Sequence, residues 1–169
     1  MATTAADQEA KAMATQKIQA APDDIPNLDD FLCFAVYSAN LAFNRVYKPV
    51  LDKLDLTYPQ YLVLVVLYEE DNQTVGGLGE KLFLDSSTLT PLLKRMEATG
   101  HIIRQRNPED ERQVRIRLTP RGKAAREKVA CTRGGMHKAT GMPTSRFRQL
   151  RDELVTLRDN LNKAASGKA

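Results

Sequence analysis

The chain has 169 residues, of which 42% are hydrophobic, 27% are charged and 6% are aromatic. This length predicts one domain rather than two domains with a linker, and the composition is typical of a folded globular protein. No apolar run approaches the roughly 20 residues of a membrane span. The first 25 residues lack the apolar block of a signal peptide, so we expect a cytoplasmic protein.

The net charge of +4 is unevenly distributed along the chain. Residues 1–31 carry two basic and six acidic groups, whereas residues 94–133 carry twelve basic and five acidic groups. A concentrated positive stretch is expected of a surface that binds phosphates, but a solvated charged face would have the same composition.

Residues 1–26 show no sustained hydrophobic period, which predicts a flexible arm. From Leu28 to Val46 apolar residues recur at spacings of three and four, so a helix is expected there, with Pro49 interrupting it. A second helix is expected after Thr57, because Thr57 and Gln60 have the spacing of a capping box. Its segment YLVLVVLY would also fit a buried strand, but the start signals favour a buried helix.

Two short helices joined by a tight turn are predicted next, as in a helix-turn-helix. Thr74 opens the first, over 75–82, and Asp85 or Ser86 caps the second, which ends at Gly100. The predicted inner face of the second helix consists of Leu89, Leu92, Leu93 and Met96.

A β-hairpin is predicted directly after this helix, in the position of the wing of a winged helix. Residues 101–106 and 113–119 read as strands, and the polar residues 107–111 between them read as a turn. Thr119 and Pro120 then start a helix that Gly134 and Gly135 are expected to break.

The last predicted helix starts near Pro143 or Thr144 and carries a heptad seam. The seam consists of Phe147, Leu150, Leu154, Leu157 and Leu161. Packing within one subunit would cover such a narrow stripe, but dimerisation is the favoured explanation.

A recognition helix reads bases with the short polar side chains of its first turns. The candidates for DNA contact on this helix are Asp85, Ser86, Ser87, Thr88 and Thr90, with Lys94 and Arg95 suited to phosphates. Helix capping by Asp85 or Ser86 is the structural alternative and is compatible with DNA contact by the others.

At the wing, Arg112 is expected to enter the minor groove, with Asp110 holding its guanidinium. The flanking candidates are Arg104, Arg106, Arg115 and Arg117. Cys33 and Cys131 lack the spacing of a zinc site, and no cofactor motif is evident, so each thiol is expected to be either inert or redox-active.

From about Leu28 to Lys128, the sequence resembles the MarR family of winged-helix regulators, and within it the organic hydroperoxide resistance repressors. The resemblance rests on the blocks LCFAVYSANLAFNRVYKPVLDKLDLTYPQYLVLVVL, LDSSTLTPLLKRMEATGHI and PEDERQVRIRLTPRG. It implies a mainly α fold with a small β-hairpin wing, in which residues 57–119 form the winged helix-turn-helix. Residues 27–56 and 120–169 would then form the dimerisation helices.

The resemblance also implies a peroxide-reactive cysteine at Cys33. It places Tyr37, Tyr47 and Tyr58 around the thiolate, the last two from the other subunit, and it implies the same DNA contacts at Asp85, Ser86, Thr88, Asp110 and Arg112. Phenolic donors would stabilise the thiolate, which is the form that reacts with peroxide. In two-cysteine members of this group, a cysteine such as Cys131 resolves the sulfenic acid to a disulfide. The alternative is that Cys131 is a bystander.

The function implied is a redox-sensing repressor that binds a palindromic operator as a homodimer and is released when organic hydroperoxide oxidises Cys33. One rival keeps the fold but has a phenolic or aromatic ligand as the signal. Another is a thiol peroxidase, but His101 and His137 are both distant from Cys33 in sequence, so an enzyme is not expected. An activator or architectural protein is a third alternative.

Overall fold

The computed structural model describes residues 27–107 and 110–167, and within them the side chains of residues 107, 111, 127 and 129–134 are not described. The arm predicted over 1–26 lies outside these residues. The chain divides into two units, residues 1–39 and 40–169. Cys33 belongs to the first unit, and the helix-turn-helix and the hairpin belong to the second.

The described residues form helices and a β-hairpin in the predicted order, together with one short additional strand. The helices are α1 (Leu32–Leu51), α2 (Tyr58–Glu69), α3 (Val75–Leu82), α4 (Ser86–Ala98), α5 (Pro120–Ala139) and α6 (Thr144–Ala165). The strands are β1 (Gln73–Thr74), β2 (Ile102–Asn107) and β3 (Asp110–Leu118), and short 3₁₀ turns span Leu28–Asp30 and Asp52–Leu54. The predicted fold class, mainly helical with a small wing, is confirmed.

The expectation that Pro49 interrupts the first helix is wrong. Pro49 lies within α1, which continues to Leu51. Proline lacks an N–H group, so a proline in the last turn costs the helix a single backbone bond. The chain turns away only after the following 3₁₀ turn, where Asp55 adopts the left-handed conformation with φ 54°.

The predicted helix starts are confirmed by their capping bonds. The backbone N–H of Thr57 donates to Oε1 of Gln60 at 2.8 Å at the start of α2. At α3 the roles are reversed: the Thr74 hydroxyl accepts from the backbone N–H of Gly77 at 3.0 Å. These bonds satisfy backbone donors that have no partner within the helix.

The prediction that Gly134 and Gly135 break a helix is wrong, because α5 passes through both and ends at Ala139. Each glycine costs a helix only about 1 kcal/mol relative to alanine, which its neighbours offset. The stop comes at Gly141, whose φ of +65° belongs to the left-handed region that ends helices.

The three strands form an antiparallel sheet in the order β1-β3-β2. The hairpin of β2 and β3 was predicted, whereas β1 was not. Its two residues, Gln73 and Thr74, pair with Ile116 and Arg115 of β3. The sheet therefore ties the wing to the segment that precedes α3.

One hydrophobic core joins the helix-turn-helix to the sheet and to α2. Leu89, Leu93 and Met96, predicted as the inner face of α4, are at most 1% exposed. The other members of this core are Leu51, Leu54, Leu56, Val63, Leu64, Val66, Leu67, Leu78, Ile102, Ile116 and Ala125. The core therefore holds the recognition helix at a fixed orientation to the wing. No helix in the described part of the chain is both long and apolar enough to cross a membrane.

Candidate functional site

The recognition helix α4 begins with a carboxylate cap. Oδ1 of Asp85 accepts the backbone N–H of Thr88 at 2.7 Å and the hydroxyl of Ser87 at 2.6 Å. These bonds hold the pKa of the Asp85 carboxyl below its ordinary value. Capping by Asp85 is thus confirmed, and Asp85 remains ionised over the whole physiological pH range.

The polar side chains predicted to read DNA lie opposite the core. The exposed members are Asp85, Ser86, Ser87, Thr88, Lys94 and Arg95, whereas Thr90 is half-buried. The first four cluster in the first turn of α4, and the two cations follow nearly two turns later. This arrangement leaves the first turn accessible to a major groove, with positive charge farther along the helix.

The four wing arginines do not share one surface. Directly opposed residues of antiparallel strands point to the same side of a sheet. Arg104 pairs with Ile116 and therefore shares the side of the sheet that faces the core, whereas Arg117 pairs with Ile103 on the other side. By the same alternation, Arg106 lies with Arg104 and Arg115 lies with Arg117. The four arginines predicted to flank Arg112 are therefore divided between the two sides of the sheet.

Two of these arginines already have partners within the chain. Nη1 of Arg104 lies 3.7 Å from Oε2 of Glu97, and Nη1 of Arg115 donates to the carbonyl of Asn72 at 3.1 Å. Arg106 and Arg112 are both exposed. Arg117 is exposed as well, so the exposed wing cations available to a phosphate backbone are Arg106, Arg112 and Arg117.

The wing tip contains a bulge that presents Arg112. The strand register passes directly from Arg106–Val114 to Asn107–Asp110, so residues 111–113 stand between two consecutive pairs. Asp110 was expected to hold the Arg112 guanidinium, and this is wrong. Its carboxylate instead accepts the backbone N–H of Arg112 at 3.1 Å and the side-chain amide of Gln113 at 3.0 Å. A backbone donor left over by the bulge is the nearer partner, and Asp110 therefore shapes the tip rather than pairing with the guanidinium.

The wing is anchored by residues that the sequence patterns did not predict. Oδ1 of Asp71 accepts the backbone N–H of Leu118 at 2.9 Å, and Asn72 adopts the left-handed conformation with φ 64°. The Asp-Asn pair is itself a turn signal and would have located this anchor.

The guanidinium of Arg158 on α6 lies 4.3 Å from the ring centroid of Phe83, in the turn of the helix-turn-helix, and sequence alone gives no signal for that contact.

In the first unit, Cys33 is a free and exposed cysteine near the start of α1. Tyr37 is one turn later on the same helix face and is 58% exposed, with its ring 6.5 Å from that of Phe34. The other exposed apolar side chains of this unit are Leu28, Phe31, Leu32 and Val36. The thiol is therefore accessible and lies within an apolar surface.

In the second unit, the other two predicted tyrosines lie together. The ring centroids of Tyr47 and Tyr58 are 5.0 Å apart, and Tyr61 is close to both. Burial raises the pKa of Tyr58, and the neighbouring Tyr61 raises it further. Tyr58 is consequently a protonated phenol, able to donate a hydrogen bond, throughout the physiological range. The side chain of Cys131 lies outside the described residues.

Several large apolar side chains of the second unit are also exposed. Of the predicted heptad seam on α6, Leu154 and Leu161 are 40% and 61% exposed. On the part of α1 that belongs to this unit, Leu41, Phe43 and Val46 are exposed as well. Exposed large apolar side chains of this kind are candidates for a surface that a partner covers.

Comparisons with known proteins agree with this description. Residues 45–129 match a family model described as transcriptional regulator SarA/Rot. The chain is 51% identical over 150 residues to the HTH-type transcriptional regulator TtmR of Methylorubrum extorquens, covering 87% of this chain and 75% of the relative. It is 45% identical over 143 residues to the organic hydroperoxide resistance transcriptional regulator of Bacillus subtilis, covering 83% and 95% of the two chains.

Among solved structures, the chain is similar to AbfR of Staphylococcus epidermidis. The structure of reduced AbfR bound to DNA superposes with a TM-score of 0.63 at 32% identity, covering 92% of this chain and 98% of that one. The disulfide form of AbfR superposes with a TM-score of 0.53 at 33% identity, covering 90% and 96%.

The capped recognition helix, the wing and these relatives together define a DNA-binding transcriptional regulator with a winged helix-turn-helix, not an enzyme. The chain belongs to the MarR family, in the group of the organic hydroperoxide resistance regulators.

Proposed function

We propose that this regulator is a redox-sensing repressor. As a homodimer, its reduced form binds a palindromic operator, and oxidation of Cys33 by an organic hydroperoxide releases it. The observation that carries the proposal is the exposed Cys33 within an apolar surface, one helical turn from Tyr37. An apolar surround suits the carbon chain of an organic peroxide better than it suits hydrogen peroxide.

The oxidation step transfers one oxygen atom. The Cys33 thiolate attacks one peroxide oxygen, the O–O bond breaks, an S–O bond forms, and the departing alkoxide takes up a proton to become an alcohol. Sulfur is oxidised by two electrons to a sulfenic acid. The thiolate of Cys131 from the second subunit then attacks this sulfur, forming a disulfide and releasing water.

Phenolic donors make the thiolate available at neutral pH. A free thiol with a pKa of about 8.5 is only a few per cent thiolate at pH 7. In the proposal, Tyr37 and, from the other subunit, Tyr47 and Tyr58 donate hydrogen bonds to the Cys33 sulfur. A phenol is protonated at neutral pH, and burial raises the pKa of Tyr58 further, so Tyr58 is available as a donor. The exposed apolar side chains on α1 and α6 support the dimer that the arrangement requires.

On DNA, each subunit places the first turn of α4 in a major groove, where Ser86, Ser87 and Thr88 reach base edges. Arg112 enters the adjacent minor groove, and Lys94, Arg95 and Arg106 bind phosphates. Oxidation breaks the tyrosine contacts and shifts α1, which moves the two recognition helices out of register with successive major grooves. The DNA-bound reduced form and the disulfide form of AbfR, a relative at about one-third identity, support the two states.

The test is DNA binding measured by fluorescence anisotropy or gel shift, using the promoter region upstream of the protein's own gene. The reduced protein should bind, should dissociate on addition of cumene hydroperoxide, and should bind again after dithiothreitol. The Cys33→Ser variant should bind with unchanged affinity and ignore the peroxide, and the Cys131→Ser variant should lose the disulfide. A Cys33→Ser variant that is still released would contradict the proposal, and release by a phenolic ligand alone would favour the ligand-controlled alternative.

A further inference from the structure

Tyr61 lies beside the two tyrosines assigned to the thiolate but has itself been assigned no role. It is on α2, one turn after Tyr58, and its ring is half-buried against the hydrophobic core. Its ring centroid lies 5.6 Å from that of Tyr47 and 6.1 Å from that of Tyr58. With Tyr47 and Tyr58 only 5.0 Å apart, the three rings form a closed triangle.

This geometry points to Tyr61 as a positioning residue for the peroxide reaction: its ring holds Tyr47 and Tyr58 in the orientation from which they donate to the Cys33 thiolate. We propose this role, which rests on the proposed function. It concerns the ring of Tyr61 and requires no contact between Tyr61 and the sulfur.

The packing explains why the pair needs a third ring. Tyr58 is the first residue of α2, and it lines a cavity of about 200 Å³ together with Asn44, Lys48, Leu51, Asp52, Leu56 and Thr57. The cavity leaves room for the Tyr58 ring to move on that side. The Tyr58 ring is restricted instead by its tilted contacts with the rings of Tyr47 and Tyr61, at interplanar angles of 38° and 51°.

A hydrogen bond to a thiolate weakens steeply when its angle or length is wrong. If Tyr61 is replaced by an aliphatic residue, the phenols of Tyr47 and Tyr58 gain freedom, and their bonds to sulfur are formed for less of the time. The thiolate then loses stabilisation and the thiol pKa rises. At a pH where the thiol is still mostly protonated, a rise of about half a unit to one unit lowers the thiolate fraction about three- to tenfold.

The experiment measures the rate of Cys33 oxidation by cumene hydroperoxide as a function of pH in the full-length protein. Tyr61→Leu should shift the pH profile to higher pH, react about three- to tenfold more slowly on its acidic limb, where the wild-type thiol is mostly protonated, and reach the wild-type plateau where the thiol is fully ionised. Tyr61→Phe keeps the ring and should restore the wild-type profile. Tyr61→Met fills the volume flexibly and serves as a second aliphatic variant if the leucine variant does not fold.

Tyr68 provides the matched control, because it is a tyrosine on the same helix outside the triangle. Its hydroxyl donates to the carbonyl of Gly122 at 2.7 Å, so Tyr68→Leu should lower the melting temperature and leave the pH profile unchanged. A folded aliphatic variant at position 61 with the wild-type profile would overturn the inference. So would a Tyr61→Phe variant that is shifted as far as Tyr61→Leu, since the hydroxyl would then be the active part.

The reduced variants should also bind operator DNA within about twofold of the wild type. If Cys33→Ser abolishes the peroxide response while the Tyr61 variants behave normally, the inference about Tyr61 alone fails. If Cys33→Ser responds like the wild type, the proposed function fails, and the role of Tyr61 is rejected with it.

Discussion

The start of α5 is packed so closely against the segment that joins the recognition helix to β2 that a single methyl group there should destabilise the protein. A Cβ atom added at Gly122 would collide with the carbonyl oxygen of His101 and lie 3.2 Å from Cδ2 of Leu118. The backbone of Gly122 also makes two bonds: its N–H donates to the Thr119 hydroxyl at 3.0 Å, and its carbonyl accepts from Tyr68 at 2.7 Å. Both bonds must lengthen if the helix moves away.

The magnitude follows from these contacts. Overpacking of this kind costs about 2 kcal/mol, and weakening the two hydrogen bonds adds about 1 kcal/mol each. The better helix propensity of alanine returns about 1 kcal/mol. For Gly122→Ala we therefore expect a loss of about 3 kcal/mol, which in a chain of this size lowers the melting temperature by about 6–12 °C.

Thermal unfolding followed by circular dichroism at matched protein concentration tests this value. Gly135→Ala, in the same helix, is the control, because no atom lies within 4 Å of a Cβ added there. That variant should gain about 0.5–1 kcal/mol from helix propensity alone. If Gly122→Ala melted at or above the wild-type temperature, the close packing of α5 against His101 and Leu118 would be refuted.

Three further outcomes are expected. Burial, and to a lesser extent the nearby guanidinium of Arg121, lowers the pKa of His101 from 6.5. The histidine therefore binds a proton more readily in the unfolded chain than in the folded one. The free energy of unfolding should fall as the pH drops below about 6.5. Melting between pH 7.5 and 5.5 should show a smaller loss in His101→Asn, and an equal loss in both proteins would refute the assignment. Leu89→Ala removes a fully buried side chain from the recognition helix and should cost about 2–5 kcal/mol in denaturant unfolding, whereas a cost below about 1 kcal/mol would contradict that burial. Lys94→Gln should make the plot of log affinity against log salt shallower by about 1.8 per dimer, with Lys163→Gln as the control, and an unchanged slope would mean that Lys94 does not bind phosphate.

Local signals in the sequence were sufficient for most of the second unit. The capping pairs at Thr57 and Thr74, the Asp85 cap and the glycine at position 100 each locate a helix end by hydrogen bonding or backbone conformation within a few residues. The strand pattern over 113–119 likewise predicted most of β3, which extends from Asp110 to Leu118. These features depend on residues that are close together in the sequence, and sequence patterns can therefore predict them.

The wrong or missing predictions concern features that depend on contacts between distant segments or on small differences in free energy. Strand β1 has two residues, too few for a period, and exists because Thr74 pairs with Arg115. Pro49 and the glycine pair in α5 carry penalties of a few kcal/mol at most, which the surrounding helix tolerates. The Asp110 carboxylate accepts from the backbone N–H of Arg112 because the bulge at the wing tip leaves that donor available. No pattern in the sequence predicts the bulge.

For the thiol site, residue types and the family resemblance supplied Cys33, Tyr37, Tyr47 and Tyr58, and the structure adds that Tyr47 and Tyr58 are in ring contact. The sequence does not identify Tyr61 as a residue of the thiol site, because a tyrosine three residues after the start of a buried helix is equally typical of core packing. Its place in the ring triangle depends on how α1 meets α2.

The central claim is that the Cys33 thiolate of one subunit depends on the phenols of the other. It is tested most directly by the rate at which cumene hydroperoxide oxidises Cys33 in differentially tagged heterodimers. A heterodimer of a Cys33→Ser chain with a Tyr47→Phe/Tyr58→Phe chain retains one thiol, opposite an intact pair of tyrosines, and should react at the wild-type rate per thiol. A heterodimer of wild type with a chain carrying all three substitutions should react slowly. If the first were slow and the second fast, the phenols would act within their own subunit and the account would be contradicted.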